Sequence, residues 1–262
     1  MTFLKRHKIT IGLGVTSLTS FILMMVLIFG SQSAFGQEFS LNLGEEGSLS
    51  GRIVQLLMLM TVLSLAPAII IVVTSFTRIV IVFSLLRSAM GTQQTPPNVV
   101  LISLALFMTG FIMAPTMKEA YDNGIAPLVA EQITEEEAFE LTTTPFHNFM
   151  MKHVREKDLL LFLDLSQTAA PETKADTPFQ ILVPAFIISE LRRAFEIGFL
   201  IFVPFIIIDL VVASVLMSMG MMMLPPVMIS LPFKLIFFVL VDGWNLVAGS
   251  LIQSFHQGPL TG

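Results

Sequence analysis

The chain has no cysteine, so it can hold no disulfide framework, no thiolate zinc site and no cysteine nucleophile. Charge is almost as scarce. Only 13% of its 262 residues are Asp, Glu, Lys or Arg, about half of the roughly 25% usual in a globular domain. A water-soluble fold cannot cover its surface with so little. The net charge of −5 also argues against nucleic acid as a partner, because that binding rests on clustered Lys and Arg. One Trp and one Tyr leave the aromatic belt of a membrane interface nearly empty. Chemistry-bearing motifs are missing too: there is no P-loop, no dinucleotide fingerprint and no G-x-S-x-G elbow. His147 and His153 do not have the i, i+4 spacing of a helical zinc pair, and the intramembrane carboxylates are solitary. No enzyme, cofactor or metal is expected.

What is present is apolar. Hydrophobic residues make up 54% of the chain, with 23 Phe and 17 Met, and the mean hydropathy is +0.83. Most of the length expects lipid or other hydrophobic chains as its solvent. Residues 1–36 have the layout of a secretory signal peptide: Lys5, Arg6 and Lys8, then an apolar run from Ile9 to Gly30, then Ala34-Phe35-Gly36. The alternative is an uncleaved first transmembrane helix. A polar lead-in follows over residues 37–52.

Residues 53–117 predict an apolar helical hairpin. Its first arm, Ile53 to Leu86, exceeds the roughly twenty residues of one crossing, and a kink is expected near Pro67. Residues 118–178 differ in kind, holding 12 of the 19 acidic residues, and predict a small solvated helical subdomain. A second apolar half covers residues 179–256, broken by prolines and by the charged turn Ser189–Glu196. A tail, 257–262, closes the chain. Arg78, Arg87, Arg192 and Arg193 read as cytoplasmic and the acidic subdomain as outside. Hydropathy alone counts four spans. Prolines and ionisable residues at membrane depth, tolerated only under a cover of protein or a cavity, argue for broken helices instead. The fold class expected is an all-α membrane protein: two helical hairpins with broken helices plus the small subdomain.

Three features stand out. Glu190, Arg192, Arg193 and Glu196 have the spacing for local pairs, Glu190 with Arg193 and Arg192 with Glu196. Glu190 equally suits a pairing with the isolated Lys234 across a subunit boundary. Asp209 and Asp242 read as helix-terminal or water-exposed. Met217, Met219, Met221, Met222 and Met223 crowd together just before Leu224-Pro225-Pro226. Ordinary filler is one reading of them. The lining of a deformable constriction is the other.

These patterns together resemble the FliP family. The resemblance rests on Met90-Gly91-Thr92-Gln93-Gln94-Thr95-Pro96-Pro97-Asn98, Phe107-Met108-Thr109-Gly110-Phe111-Ile112-Met113-Ala114-Pro115 and Pro184-Ala185-Phe186-Ile187-Ile188-Ser189-Glu190-Leu191. It continues through Gly220-Met221-Met222-Met223-Leu224-Pro225-Pro226, Ser230-Leu231-Pro232-Phe233-Lys234 and Asp242-Gly243-Trp244. It implies a core subunit of the flagellar type III protein-export gate. Copies would assemble with FliQ and FliR into a helical channel in the bacterial inner membrane, with FlhB joining from the cytoplasm. Unfolded flagellar subunits would pass through, and residues 118–178 would be periplasmic. The resemblance further implies a methionine gate at Met221, Met222 and Met223 with Met219, a Glu190–Lys234 contact between subunits, and subunit contacts by Phe149 and Phe162. The equivalent subunit of a virulence injectisome is the alternative. A small-solute secondary transporter is a more distant one, because the two halves show no convincing inverted repeat.

Overall fold

A computed structural model of the chain describes residues 49–166, 173, 176–221 and 223–256. The signal segment, most of the lead-in, Met222 and the tail lie outside the described residues. Contacts divide the chain into two units at Leu59, and the fold below belongs to the second, Met60–Gly262. Among the described residues every regular element is helical. They are α1 (Leu49–Val72), α2 (Phe76–Met90), α3 (Asn98–Ala120), a π-turn (Tyr121–Ile125), α4 (Ala126–Val129), α5 (Glu135–His153), α6 (Glu156–Ser166), α7 (Phe179–Ser218), α8 (Pro226–Leu240) and α9 (Gly243–His256).

The first apolar stretch breaks at Val73–Ser75, not at Pro67, through which α1 runs on. Thr74 explains the site. Its Oγ1 donates to the Ile71 carbonyl at 2.8 Å and accepts from the Phe76 N–H at 3.4 Å, competing with the helical ladder. α2 then ends at Gly91, whose φ of 78° suits a residue without Cβ. α3 packs back along α2, so a hairpin does form.

The second half corrects the expectation of a charged interruption. Phe179–Ser218 is one helix of 40 residues, continuous through Pro184, Ser189–Glu196 and Pro204. At 1.5 Å per residue it is about 60 Å long, twice a hydrocarbon core of about 30 Å. Its first half is covered by α5 and α6; its second half exposes Phe199, Leu200, Ile206, Ile207 and Leu210. Among the described residues two helices are long and apolar enough to cross a membrane, Asn98–Val129 and Phe179–Ser218. The pair α8 and α9, bent by 62°, makes a third if taken as one span. That bend falls at Asp242, with φ 51°, and Gly243, where a Cβ would lie 2.1 Å from the Phe238 ring.

The acidic stretch packs against these helices. Thr134 caps α5 by accepting the Glu137 N–H, and Glu135, Glu136 and Glu137 fill the first turn where the helix dipole favours negative charge. One core joins Met150, Val154 and Leu159 of this region to Ile181, Leu182, Ala185 and Phe186 of α7. Another joins Ile79, Val82 and Phe83 of α2 to Leu101, Ala105 and Met108 of α3 and to Leu251 and Phe255 of α9.

The π-turn lets α3 and α5 approach closely at Gly124. A Cβ there would sit 2.1 Å from Thr142 Oγ1 and 2.8 Å from the Thr142 nitrogen, and backbone cannot yield as a side chain does. Gly124→Ala should therefore destabilise the protein by about 1–3 kcal/mol, the usual range for overpacking. Gly110→Ala, with nothing within 4 Å of the new methyl, should not. Thermal unfolding of the two detergent-solubilised variants checks this.

Candidate functional site

The two groups of buried charge and the methionine loop are the features that carry chemistry. Arg78 is the only charge in the Ile53–Leu86 stretch, and it is 1% exposed. Its Nε donates to Glu190 Oε2 at 2.7 Å and its Nη2 donates to Oε1, a bidentate pair with Glu190 fully buried. Its Nη1 donates to Ser254 Oγ at 2.9 Å, and its guanidinium carbon stands 3.7 Å from the Phe255 ring centroid. Each of its three nitrogens donates a hydrogen bond, and one face lies on an aromatic ring. Next to Glu190, Ser189 donates to Asp158 Oδ2 at 2.6 Å and accepts from the Arg155 N–H at 3.0 Å. His153 lies between Phe149 and Phe255, its Nδ1 2.8 Å from the Phe149 carbonyl and its Nε2 3.2 Å from the Phe255 carbonyl.

This geometry revises the sequence expectations. Arg78 and Arg87 lie near opposite ends of α2, and Arg78 is buried inside the protein. Arg192 does pair with Glu196 at 2.8 Å, an exposed contact of the kind that contributes little. Glu190 turns from Arg193 to Arg78. Lys234, 4% exposed, pairs with Asp209 Oδ2 at 2.7 Å. Glu190 and Lys234 are thus not brought together within the chain; each has a different partner. Asp209 is neither helix-terminal nor wholly solvated.

Met219, Met221 and Met223 are exposed on the loop between α7 and α8, as is Met217 at the end of α7. The loop leaves α7 in a Schellman turn: Gly220 has φ 76°, its N–H donates to the Met217 carbonyl, and the Met221 N–H donates to the Leu216 carbonyl, each at 3.0 Å. Phe149 is half-buried, stacked 6.2 Å from Phe255 and edge-on 6.0 Å from Phe186; Phe162 is half-buried against the α5–α7 core. Among the described residues no three His, Asp or Glu side chains gather as a metal site. Arg78 and Asp209, the partners that sequence reasoning left unassigned, carry one signal: a lone ionisable residue at membrane depth needs a named counter-charge.

Two outcomes follow. Glu190→Ala leaves Arg78 buried and unpaired, a loss of about 3–5 kcal/mol, whereas Glu196→Ala should change stability by less than about 1 kcal/mol. The exchange Arg78→Glu with Glu190→Arg should restore part of the loss, read as protease resistance and thermal midpoint. His153 adds a pH dependence. Burial holds its imidazole below the ordinary 6.5, with Arg78 adding to this, while the two carbonyls and Glu190 oppose it. The unfolded chain then binds more protons below about pH 6.5, so the stability contributed by neutral His153 is present above that pH and lost as pH falls below it. Wild-type protein should lose thermal stability on acidification more steeply than His153→Gln.

Comparison with known proteins fits this picture. Residues 59–251 match the model of the FliP family. The chain is 63% identical over 219 residues to the flagellar biosynthetic protein FliP of Caulobacter vibrioides, covering 84% of this chain and 82% of that protein. It is 58% identical over 202 residues to FliP of Bacillus subtilis, covering 77% and 91%. Against FliP of Rhizobium meliloti it is 51% identical over 243 residues, covering 90% and 98%. With the family pattern matching residues 59–251, and half or more of the aligned residues identical to those of these relatives, the chain belongs to the FliP family.

Proposed function

We propose that this chain is a structural, non-enzymatic subunit of the flagellar type III protein-export gate, forming with further copies of itself the channel through which unfolded flagellar subunits pass. The family and the flagellar names of the relatives support the apparatus, and favour it over an injectisome. The observation that carries the channel is the methionine loop. Met219, Met221 and Met223 project from a glycine-closed turn at the end of a 40-residue helix, with too few neighbours in their own chain to bury them. Repeated around a central axis, with Met222 among them, they would make an apolar closure. Such a constriction blocks ions by dewetting. Methionine side chains are long and unbranched, so they can repack around a passing chain.

FliQ and FliR are the partners proposed within the same complex, FlhB the partner on the cytoplasmic side, and flagellar subunits and lipid the remaining contacts. The site is the inner membrane at the flagellar basal body, with residues 118–178 periplasmic. Phe149 and Phe162 keep partly exposed faces, which suits contact with a neighbouring copy. A Glu190–Lys234 contact between subunits would have to open two ion pairs already closed within the chain. The exposed apolar faces of α7 and α8 carry subunit packing with less disruption.

Replacing Met221, Met222 and Met223 by Ala shortens every side chain around the closure. The complex should still assemble on a native gel, while membrane conductance and sensitivity to salt rise several-fold. Leu replacements should seal better than Ala but export less. A triple Ala variant that assembles and leaks no more than wild type would overturn the constriction.

A further inference from the structure

The second ion pair, a buried Lys234 with a partly exposed Asp209, lies close behind the methionine loop. Asp209 is about 14 Å along α7 from its end at Ser218, and Lys234 about 12 Å into α8 from Pro226, at 1.5 Å per residue. The pair therefore forms a rung at nearly equal depth on the two helices that carry the loop. Asp209 accepts twice, from Ser230 Oγ at 2.5 Å and from Lys234 Nζ at 2.7 Å. Lys234 Nζ donates again, to the Ala89 carbonyl at 3.3 Å. That carbonyl belongs to the last turn of α2, where backbone acceptors lack helical partners and a cation is favoured. One ammonium group ties three helices.

Packing within the chain nearly stops at this rung. The cluster of Leu86, Ala89, Met90, Phe205 and Phe238 lies on its far side from the loop. Between rung and loop, over residues 210–218 and 226–229, Leu216 alone is buried among the described residues. Apolar contact is non-directional and would let α7 and α8 slide or splay. Among the described residues, the ion pair and the Ser230–Asp209 hydrogen bond are the last side-chain hydrogen bonds between α7 and α8 before the methionines.

We propose that Lys234 is the positioning residue of the gate: held by Asp209 and the Ala89 carbonyl, it fixes the spacing of α7 and α8 and thereby the place of the methionine loop. The proposal rests on the reading of that loop as a channel constriction. Lys234 touches no substrate; it acts through the helices it joins. Its partner Asp209 is a third exposed, so a variant without the ammonium leaves a carboxylate that water can reach and that still accepts from Ser230.

The test uses the assembled complex of the full chain. Lys234→Met keeps an apolar stem of similar length and removes all three donors. Two readouts are taken beside a native gel: membrane conductance, and amide hydrogen exchange of the purified complex over residues 219–230, with residues 135–153 as internal reference. Lys234→Met should assemble, exchange several-fold faster over 219–230 alone, and leak. Lys234→Arg, which keeps charge and donors, should recover most of the seal. An assembled Lys234→Met complex with wild-type exchange and conductance overturns the proposal. Should that variant fail to assemble, Asp209→Asn is read in the same two assays. Failure of both to assemble makes the pair a folding element and also overturns the positioning role. Faster exchange in Lys234→Met, with no leak there or in the methionine-to-alanine variant, refutes the constriction and leaves the clamp standing. A leaking methionine variant beside a sealed, slowly exchanging Lys234→Met refutes the clamp alone.

Discussion

The buried pair of Arg78 and Glu190 is the constraint on which the rest of the arrangement depends. The rest of the buried face of α7, with Ile181, Leu182, Ala185 and Phe186, is apolar, and non-directional apolar contact alone would not fix its register. Sliding would strand a guanidinium and a carboxylate in a dehydrated interior, each a loss of several kcal/mol. Only one register satisfies both ions. The same cation takes Ser254 and lies over Phe255, so α9 is fixed against α2 by the group that fixes α7. Ser189, the residue before Glu190, adds α6 through Asp158. A pair of this kind need not stabilise the fold relative to a well-packed apolar one; it selects which packing forms.

That choice lets a helix twice as long as a hydrocarbon core divide its length between two surroundings. Around Glu190 α7 is clothed by α2, α5 and α6, and beyond Gly198 it presents apolar side chains outward. Gly198 marks the change: a Cβ there would meet Leu85 Cδ1 at 2.3 Å, so a side chain of α2 packs directly on the α7 backbone where the outward-facing half begins. Prolines inside α7 and α8 are accommodated without breaking either helix.

Much of this was legible in the sequence, and the remainder was not for definite reasons. The all-helical class, the hairpin of α2 and α3, the turn at Leu224-Pro225-Pro226 and the singularity of Glu190 and Lys234 follow from hydropathy, proline and isolated charge. Pairing does not. Arg78, Lys234 and Asp209 are isolated in sequence and Glu190 has Arg193 as a local alternative, so several neutral pairings are open, and only the packing of helices distant in sequence chooses among them. The continuity of α7 was hidden because Ser189–Glu196 reads as a polar interruption. In the structure its inward residues are paired across the core, and its outward Arg192 and Glu196 pair with each other. Thr74 outweighs Pro67 as a helix breaker because a hydroxyl that bonds locally redirects the chain, whereas one missing N–H can be absorbed by a long helix.

The length of α7 has a mechanical consequence. Between Glu190, clamped in the core, and Ser218, where the methionine loop begins, lie about 42 Å of unbroken helix. A rod of that length is a lever with its fulcrum at a salt bridge. A tilt of about 5° at the fulcrum would sweep the far end through about 4 Å, on the order of one methionine side chain. Sub-ångström shifts around Arg78 therefore reach the loop magnified, and the rigidity of a few buried hydrogen bonds sets how far the exposed methionines beyond Ser218 can swing.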